Sequence, residues 1–271
     1  MRISVIISTY NSPKWLDHVL CGYRYQSDQD FEVVIADDGS GDATHDVVNK
    51  HQAYISKLQH VWHPDDGFQK SRILNLATQA ASGDYLIFTD GDCIPPPHYI
   101  ATHRYHAQPG HYLSGGYFKL PMKTSTAISE GDIQSGQVFS LRWLQRHGLP
   151  RSFKALRLSA SPRLRTLLDR CIPTKATWNG NNSSAFKSDI LAVNGHDERM
   201  HYGGQDAEMG YRLRHRGLKP IRVRYRALVL HLDHARGYAN KDSIAQNRAI
   251  RQKTLETQSK WTAHGILKSE R

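Results

Sequence analysis

Asp90-Gly91-Asp92 is the stretch of this chain with the clearest chemical content. It follows an apolar run, Asp84-Tyr85-Leu86-Ile87-Phe88-Thr89, that reads as a buried strand. Residues two apart on a strand project the same way, so the two carboxylates face one volume. Like charges that close repel each other unless a cation or an array of donors lies between them. A divalent ion carrying a diphosphate suits such a place, because hard oxygen ligands favour magnesium or manganese. The competing explanation is a solvated acidic turn, and a bare D-x-D does not separate the two.

The elements around the tripeptide favour a site. Ile3 to Ser8 is a β-branched run ending at Thr9-Tyr10-Asn11, and Pro13 opens a helix with Trp15, Leu16, Val19 and Leu20 on one face. Phe31 to Ala36 predicts a second strand ending at Asp37-Asp38-Gly39-Ser40, with a helix from Ala43 to His51 behind it. His60-Val61-Trp62 predicts a third strand, and Ser71 to Ala81 a helix with Ile73, Leu74 and Ala77 inward. Repeated strand-helix-strand units imply an α/β fold with a mostly parallel sheet and right-handed crossovers. Ligands of such sheets bind beyond the carboxyl ends of the strands. Asn11, Asp38 and Asp90 all fall at those ends.

The chain has 271 residues, 39% of them hydrophobic, enough for one sizeable core or two small lobes sharing one. No apolar stretch approaches about 18 residues, so no transmembrane helix is expected. Met1-Arg2-Ile3-Ser4-Val5-Ile6-Ile7-Ser8 lacks a cleavage site and reads as a first strand, not a signal peptide. Cys21, Cys93 and Cys171 have no metal-like spacing and suggest a reducing compartment without disulfides. A net charge of +11 implies an anionic partner: nucleic acid, an acidic membrane surface or a phosphorylated substrate.

Much of that charge is local. Between Arg142 and Lys175 there are nine Lys or Arg and one acid, Asp169. Val138, Leu141, Trp143 and Leu144, then Phe153 and Leu158, then Leu164, Leu167 and Leu168 recur at helical spacing. The stretch predicts two or three short basic amphipathic helices, either a solvated cover over the core or, across 138–175, a patch for anionic lipid. Arg222 to His231 predicts one more strand, and Lys241 to Arg271 a peripheral helical tail.

These blocks, in this order, resemble a family 2 glycosyltransferase with the GT-A fold. They are Val5 to Asn11, Val33 to Ser40, Gly67-Phe68 with Arg72 and Asn75, Ser82 to Pro95, Asn194 to Glu198, Gly203 to Leu213, and His231. The second half is similar to the galactosyltransferase-type C-terminal region of bacterial polysaccharide-synthesising and core-extending enzymes. The resemblance implies a single Rossmann-like GT-A domain with a central mixed, mostly parallel sheet and a basic helical insertion. Residues 1–120 would be its nucleotide-sugar-binding half, 121–177 the insertion, 178–235 the acceptor-binding and catalytic half, and 236–271 a helical tail.

The resemblance also implies roles. Asp38 would accept the imide N–H of uracil, in competition with a simpler role as a helix-capping acid. Thr9, Tyr10, Asn11, Arg72, Asp90 and Gly91 would complete the nucleotide and donor pocket. Asp92 would ligate the cation bridging the two phosphates, and His231 would supply a further ligand, with His234 as its rival. Imidazole tilts the divalent cation from Mg2+ toward Mn2+. Asp206 would be the base that takes the acceptor hydroxyl proton in an inverting displacement, and its place near a helix N-terminus predicts a lowered pKa. Trp178, Asn179, Gly180, Asn181, Gly204 and Gln205 would line the sugar and acceptor site, with Trp178 as a stacking face. The family usually has Glu where this chain has Gln205, which bears on substrate identity more than on the reaction.

The expectation is therefore a metal-dependent hexosyl- or N-acetylhexosaminyltransferase using a UDP-sugar. Its acceptor would be a cell-surface glycan or glycolipid, such as lipopolysaccharide core or capsule, at the cytoplasmic face of a membrane. A nucleotidyltransferase would want a Gly-rich basic loop after the first strand, and Ser8-Thr9-Tyr10-Asn11-Ser12-Pro13 is not one. A nucleic-acid-binding protein would interleave its charges with stacking aromatics, which the insertion lacks.

Overall fold

The structure is a computed structural model and describes residues 1–234 and 241–268. Its first half runs β1 (Ile3–Thr9), α1 (Pro13–Arg24), β2 (Phe31–Asp37), α2 (Asp42–Gln52), β3 (Leu58–Trp62), α3 (Lys70–Ala80) and β4 (Tyr85–Asp90), the alternation expected. β1 and β2 are buried at every position. Their apolar runs are continuous because helices cover both faces of the sheet. Val5, Ile7, Val33 and Ile35 share one core cluster with Leu16, Val19 and Leu20 of α1. Ile6, Val34 and Ala36 share the other with Ile73, Leu74 and Ala77 of α3. Each large apolar side chain so buried contributes about 1.5–3 kcal/mol, and a one-residue slip would exchange the two faces.

The chain continues through β5 (Cys93–Ile94), α4 (Tyr99–His106), β6 (His111–Ser114) and β7 (Gly116–Lys119). The insertion holds α5 (Met122–Thr126), α6 (Glu130–Gln134), α7 (Leu141–Arg146) and α8 (Pro162–Cys171). Then come β8 (Ser183–Phe186), α9 (Lys187–Ala192), α10 (Gln205–His215), β9 (Lys219–Arg222), β10 (Leu228–His231) and α11 (Lys241–Glu256). Among the described residues the strands form a seven-stranded sheet, β3-β2-β1-β4-β8-β6-β9, and a three-stranded sheet, β5-β10-β7. In the larger sheet β8 runs antiparallel to β4 and β6, and the other pairings are parallel. This is the expected mixed, mostly parallel α/β architecture.

Three local expectations change. The single strand expected from Arg222 to His231 is two, because β9 ends at Arg222 beside β6 and β10 starts at Leu228 in the smaller sheet. Asp169 accounts for the break: it accepts the Tyr225 N–H at 3.0 Å and the Arg226 guanidinium at 2.7 Å, which removes that N–H from any ladder.

The insertion is cut into more and shorter pieces than expected, including 3-10 turns at Gln137–Phe139 and Phe153–Ser159. Gly148-Leu149-Pro150 and Ser161-Pro162 interrupt its helical run. Val138, Trp143, Leu144 and Leu158 join the main core, whereas Phe153, Leu164 and Leu167 remain 90%, 44% and 54% exposed.

The tail is not peripheral. Asn247 on α11 donates to the His201 and Gly203 carbonyls at 2.8 and 3.1 Å, and Thr254 donates to Glu208 on α10 at 2.9 Å. The expected boundary at 235–236 lies outside the described residues. No helix among the described residues is long and apolar enough to cross a membrane.

Candidate active site

The carboxyl ends of β1, β2 and β4 open into a cavity of about 680 Å³. Strand register builds its rim. Thr9 pairs with Asp37 and Ser8 with Asp90, while the Asp38 N–H donates to Thr9 O at 3.0 Å and the Gly91 N–H to Ser8 O at 2.7 Å. Thr9, Tyr10, Asn11, Asp38, Asp90 and Gly91 therefore share one edge of the cavity. Asp92, Asn181, Gln205, Asp206, His231 and His234 are among the residues that line the remainder.

At the β1–β2 end, Asn11 takes a left-handed φ of 43°, which Asn tolerates better than most residues. Its N–H donates to Ser40 Oγ at 2.8 Å and its Oδ1 accepts the Gly41 N–H at 3.1 Å, which ties the two loops together. Tyr10 donates its hydroxyl to Asp65 at 2.8 Å. Asp38 accepts His63 Nε2 at 2.8 Å on one oxygen and the Gln69 N–H at 3.0 Å on the other. Each carboxylate oxygen keeps acceptor capacity for a further donor. Burial pushes the Asp38 carboxyl up, and His63 and the Gln69 N–H offset this only in part. The turn-closing acid here is Asp37, which accepts the Ser40 N–H at 2.9 Å.

Asp90 is engaged on one side: its Oδ1 accepts Ser8 Oγ at 2.7 Å and Lys70 Nζ at 2.6 Å. Burial alone would lower the Lys70 pKa, but the Asp90, Asp206 and Asp92 carboxylates outweigh it and raise it, so the ammonium stays charged. Sequence reading missed this residue. Its signal was a cation in the first turn of α3, where the helix dipole opposes positive charge. Arg72 is not brought to the cavity. Two residues along α3 is about 200° of rotation from Lys70, and Arg72 stands exposed, donating to Gln69 Oε1 at 3.2 Å.

Asp92 meets both histidines. β10 lies between β5 and β7, with His231 opposite Cys93 and the Leu232 N–H donating to Asp92 O at 2.8 Å. Asp92 Oδ2 is 2.9 Å from His234 Nε2 and 3.7 Å from His231 Nε2, and ligand atoms of all three fall within 4.8 Å of one another. His231 Nδ1 lies 2.7 Å from the Leu232 carbonyl. A carbonyl can only accept, so Nδ1 carries a proton there, and Nε2 is the nitrogen turned toward Asp92. Two imidazoles and a carboxylate in this arrangement fit a divalent transition ion.

Asp206 lies in the first turn of α10 with its Oδ1 buried and unpartnered among the described residues. Its pKa is raised, not lowered as its helix position predicts. Burial is the main cause and Asp90 adds to it, while Lys70 and the Gly180 N–H pull the other way. Exclusion of solvent outweighs the dipole of the first turn here. Gly180 packs on this carboxylate, and a Cβ there would stand 2.6 Å from Oδ1. Gly204, the N-cap of α10, has a φ of 93° and lies against Arg251.

The rest of the expected sugar site divides. Asn181 lines the cavity with a buried Oδ1 that has no partner among the described residues, and Gln205 lines it while accepting the Gly203 N–H at 3.1 Å. Asn179 turns toward β7, donating to Gly115 O at 3.4 Å. Trp178 is 2% exposed and packs on Phe88 and Tyr112, with ring centroids 5.5 and 5.8 Å away, so it offers no face to a sugar. Tyr10, Phe68, Tyr117 and Tyr202 are the aromatic residues of phenyl type that line the cavity among the described residues.

The sequence profile "Glycosyl transferase family 2" matches residues 4–120. The chain is similar to a validoxylamine A glucosyltransferase of Streptomyces hygroscopicus subsp. jinggangensis, 30% identical over 259 residues, covering 90% of this chain and 59% of that protein. It is also similar to a chondroitin synthase of Pasteurella multocida, 27% identical over 78% of this chain and 23% of that protein. It spans little more than half the length of the validoxylamine A glucosyltransferases, at 59% and 55%. Among solved structures, Staphylococcus aureus TarS superposes with a TM-score of 0.62 at 15% identity, over 94% of this chain and 40% of that one. The mannosyltransferase PcManGT from Pyrobaculum calidifontis, in complex with GDP-Man and Mn2+, superposes with a TM-score of 0.59 at 20% identity, over 94% of this chain and 64% of that one.

Proposed function

We propose that this chain, which matches the family 2 glycosyltransferase profile over residues 4–120 and shares the fold of TarS and PcManGT, is a GT-A glycosyltransferase of that family that transfers a sugar from a nucleotide-sugar to an acceptor hydroxyl with inversion, using Asp206 as base. The observation that carries this reading is the buried Oδ1 of Asp206, unpartnered among the described residues, in the same cavity as Asp92, His231 and His234. In this reading Thr9, Tyr10, Asn11 and Asp38 hold the nucleoside, and UDP suits the acceptor atoms of Asp38 through an imide N–H. Asp92, His231 and His234 hold a divalent cation, with Mn2+ preferred for its tolerance of imidazole. That ion would neutralise the charge growing on the departing diphosphate.

The chain's own groups do the rest. Asp206 accepts the hydroxyl proton as the acceptor oxygen bonds to the anomeric carbon, and the bond from that carbon to the phosphate oxygen breaks with its electron pair leaving on the nucleoside diphosphate. The raised pKa of Asp206 makes it a stronger base than an ordinary carboxylate. Lys70 holds Asp90 and adds positive charge beside the leaving group. Asn181 and Gln205 orient the sugar, and Tyr117 and Tyr202 replace Trp178 as the faces it rests on.

The acceptor in this proposal is a hydroxyl of a cell-surface glycan or glycolipid, reached from the cytoplasmic face of a membrane. Exposed Phe153, Leu164 and Leu167, set among the arginines of the insertion, support contact with an anionic lipid surface. The test is a donor-hydrolysis and transfer screen across UDP-, GDP- and dTDP-sugars, with Asp206→Asn alongside. Turnover of one donor by the wild type, lost in the variant, is the expected result. Equal turnover by both would overturn the base assignment.

A further inference from the structure

A second group of metal-ligating side chains lies outside this cavity. Asp37 ends β2, His45 lies on α2 and His60 on β3, and one ligand atom from each falls within 4.8 Å of the others. None of the three lines the cavity. Asp37 directly precedes Asp38, and successive strand residues point to opposite faces of a sheet, so this trio faces α2.

We propose that Asp37, His45 and His60 form a second metal site, taking a borderline transition ion such as Zn2+ or Co2+ with water as the remaining ligand. Two imidazoles and one carboxylate are a donor set suited to these ions and poorly suited to Mg2+ or Ca2+. The carboxylate is oriented in advance: its Oδ1 accepts the Ser40 N–H at 2.9 Å, and its Oδ2 faces His60 Nε2 at 2.9 Å. The His45 ring lies 4.6 Å from the His60 ring and 5.8 Å from Trp62, and no hydrogen bond among the described residues holds its nitrogens. Both histidines are partly open to solvent while Asp37 is fully buried, which gives the ion an entry path and a fixed anchor. Entry releases the proton shared by His60 and Asp37. The bound ion joins β2, α2 and β3 through side chains alone and stiffens the turn that closes at Ser40.

Co2+ is the probe, because tetrahedral sites give it strong visible absorption and it quenches nearby tryptophan fluorescence. The wild-type chain should bind two ions, one at this trio and one at Asp92, His231 and His234. His45→Gln leaves the Asp37–His60 hydrogen bond in place, so it should melt like the wild type without metal. It should weaken binding at one site by at least about 100-fold and abolish quenching of Trp62. A His231→Gln, His234→Gln variant should lose the other ion and keep that quenching, and Trp62→Phe should lose the quenching while binding both ions. If the wild type and His45→Gln bind the same number of ions with equal affinity, or Trp62 is not quenched, the trio is a hydrogen-bonded His–carboxylate pair beside a stacked ring and the proposal fails.

Discussion

Gly180 is seated directly on the carboxylate of Asp206: a Cβ added there would lie 2.6 Å from Oδ1 and 2.7 Å from Oδ2. The group proposed as the base thus has the bare backbone of Gly180 directly against it. Gly180→Ala should displace it by a fraction of an ångström to an ångström, which costs up to about 100-fold in turnover. Transfer kinetics should show the loss in kcat with nucleotide affinity retained. An unchanged kcat with an unchanged melting temperature would show that the carboxylate does not need this seat.

Asp206→Asn removes the proton acceptor and keeps the shape. General base catalysis contributes about 10²–10⁴-fold, so transfer should fall by that factor while isothermal titration with UDP is little altered.

The wild-type pH profile should carry the mark of the same residue. Burial raises the Asp206 pKa, and a base works only when deprotonated, so kcat/KM should fall as pH drops through that raised value, earlier than for an exposed carboxylate. Lys70 lowers the Asp206 pKa. Lys70→Met should therefore shift the acid limb to still higher pH. A limb that stays put, or moves down, would disconnect Lys70 from the base.

Asp92→Ala should abolish the dependence of UDP affinity on manganese, because His231 and His234 lose the carboxylate between them. Calorimetry with and without the ion reads this directly. If manganese still strengthens UDP binding in the variant, the ion sits elsewhere.

Phe153→Ser should weaken pelleting with anionic vesicles about tenfold or more, since burying a phenylalanine in an apolar phase is worth about 1.5–3 kcal/mol. Pelleting should also fall with salt. Indifference to both would leave the insertion as a solvated cover.

The half of the cavity formed by the ends of β1, β2 and β4 was legible in the sequence because it is built from local signals. β1, β2 and β4 announce themselves as apolar runs that end in Asn11, Asp38 and Asp90, and parallel register sets those ends side by side. The second half depends on contacts far apart in sequence. Trp178 reads as a stacking face until Phe88, Tyr112 and Gly210 are seen to enclose it. Arg72 and Lys70 differ only by rotation about α3, which composition does not encode. The pKa direction at Asp206 was misjudged because a helix N-terminus is visible in sequence and exclusion of solvent is not. His234 reads as a rival to His231 in a linear chain, yet the fold sets both beside Asp92.

Asn247 has a wider consequence. It is fully buried and its side chain holds His201 and Gly203 from the last helix. The loop that delivers Asp206 is thus latched by a segment synthesised some forty residues later. Under the proposed function, the strand ends that would hold the nucleotide are complete far earlier in the chain than the segment that latches the loop bearing Asp206. Competence for transfer would then arrive in a late step, separate from the acquisition of donor affinity, and a nascent chain would hold its donor before it could spend it.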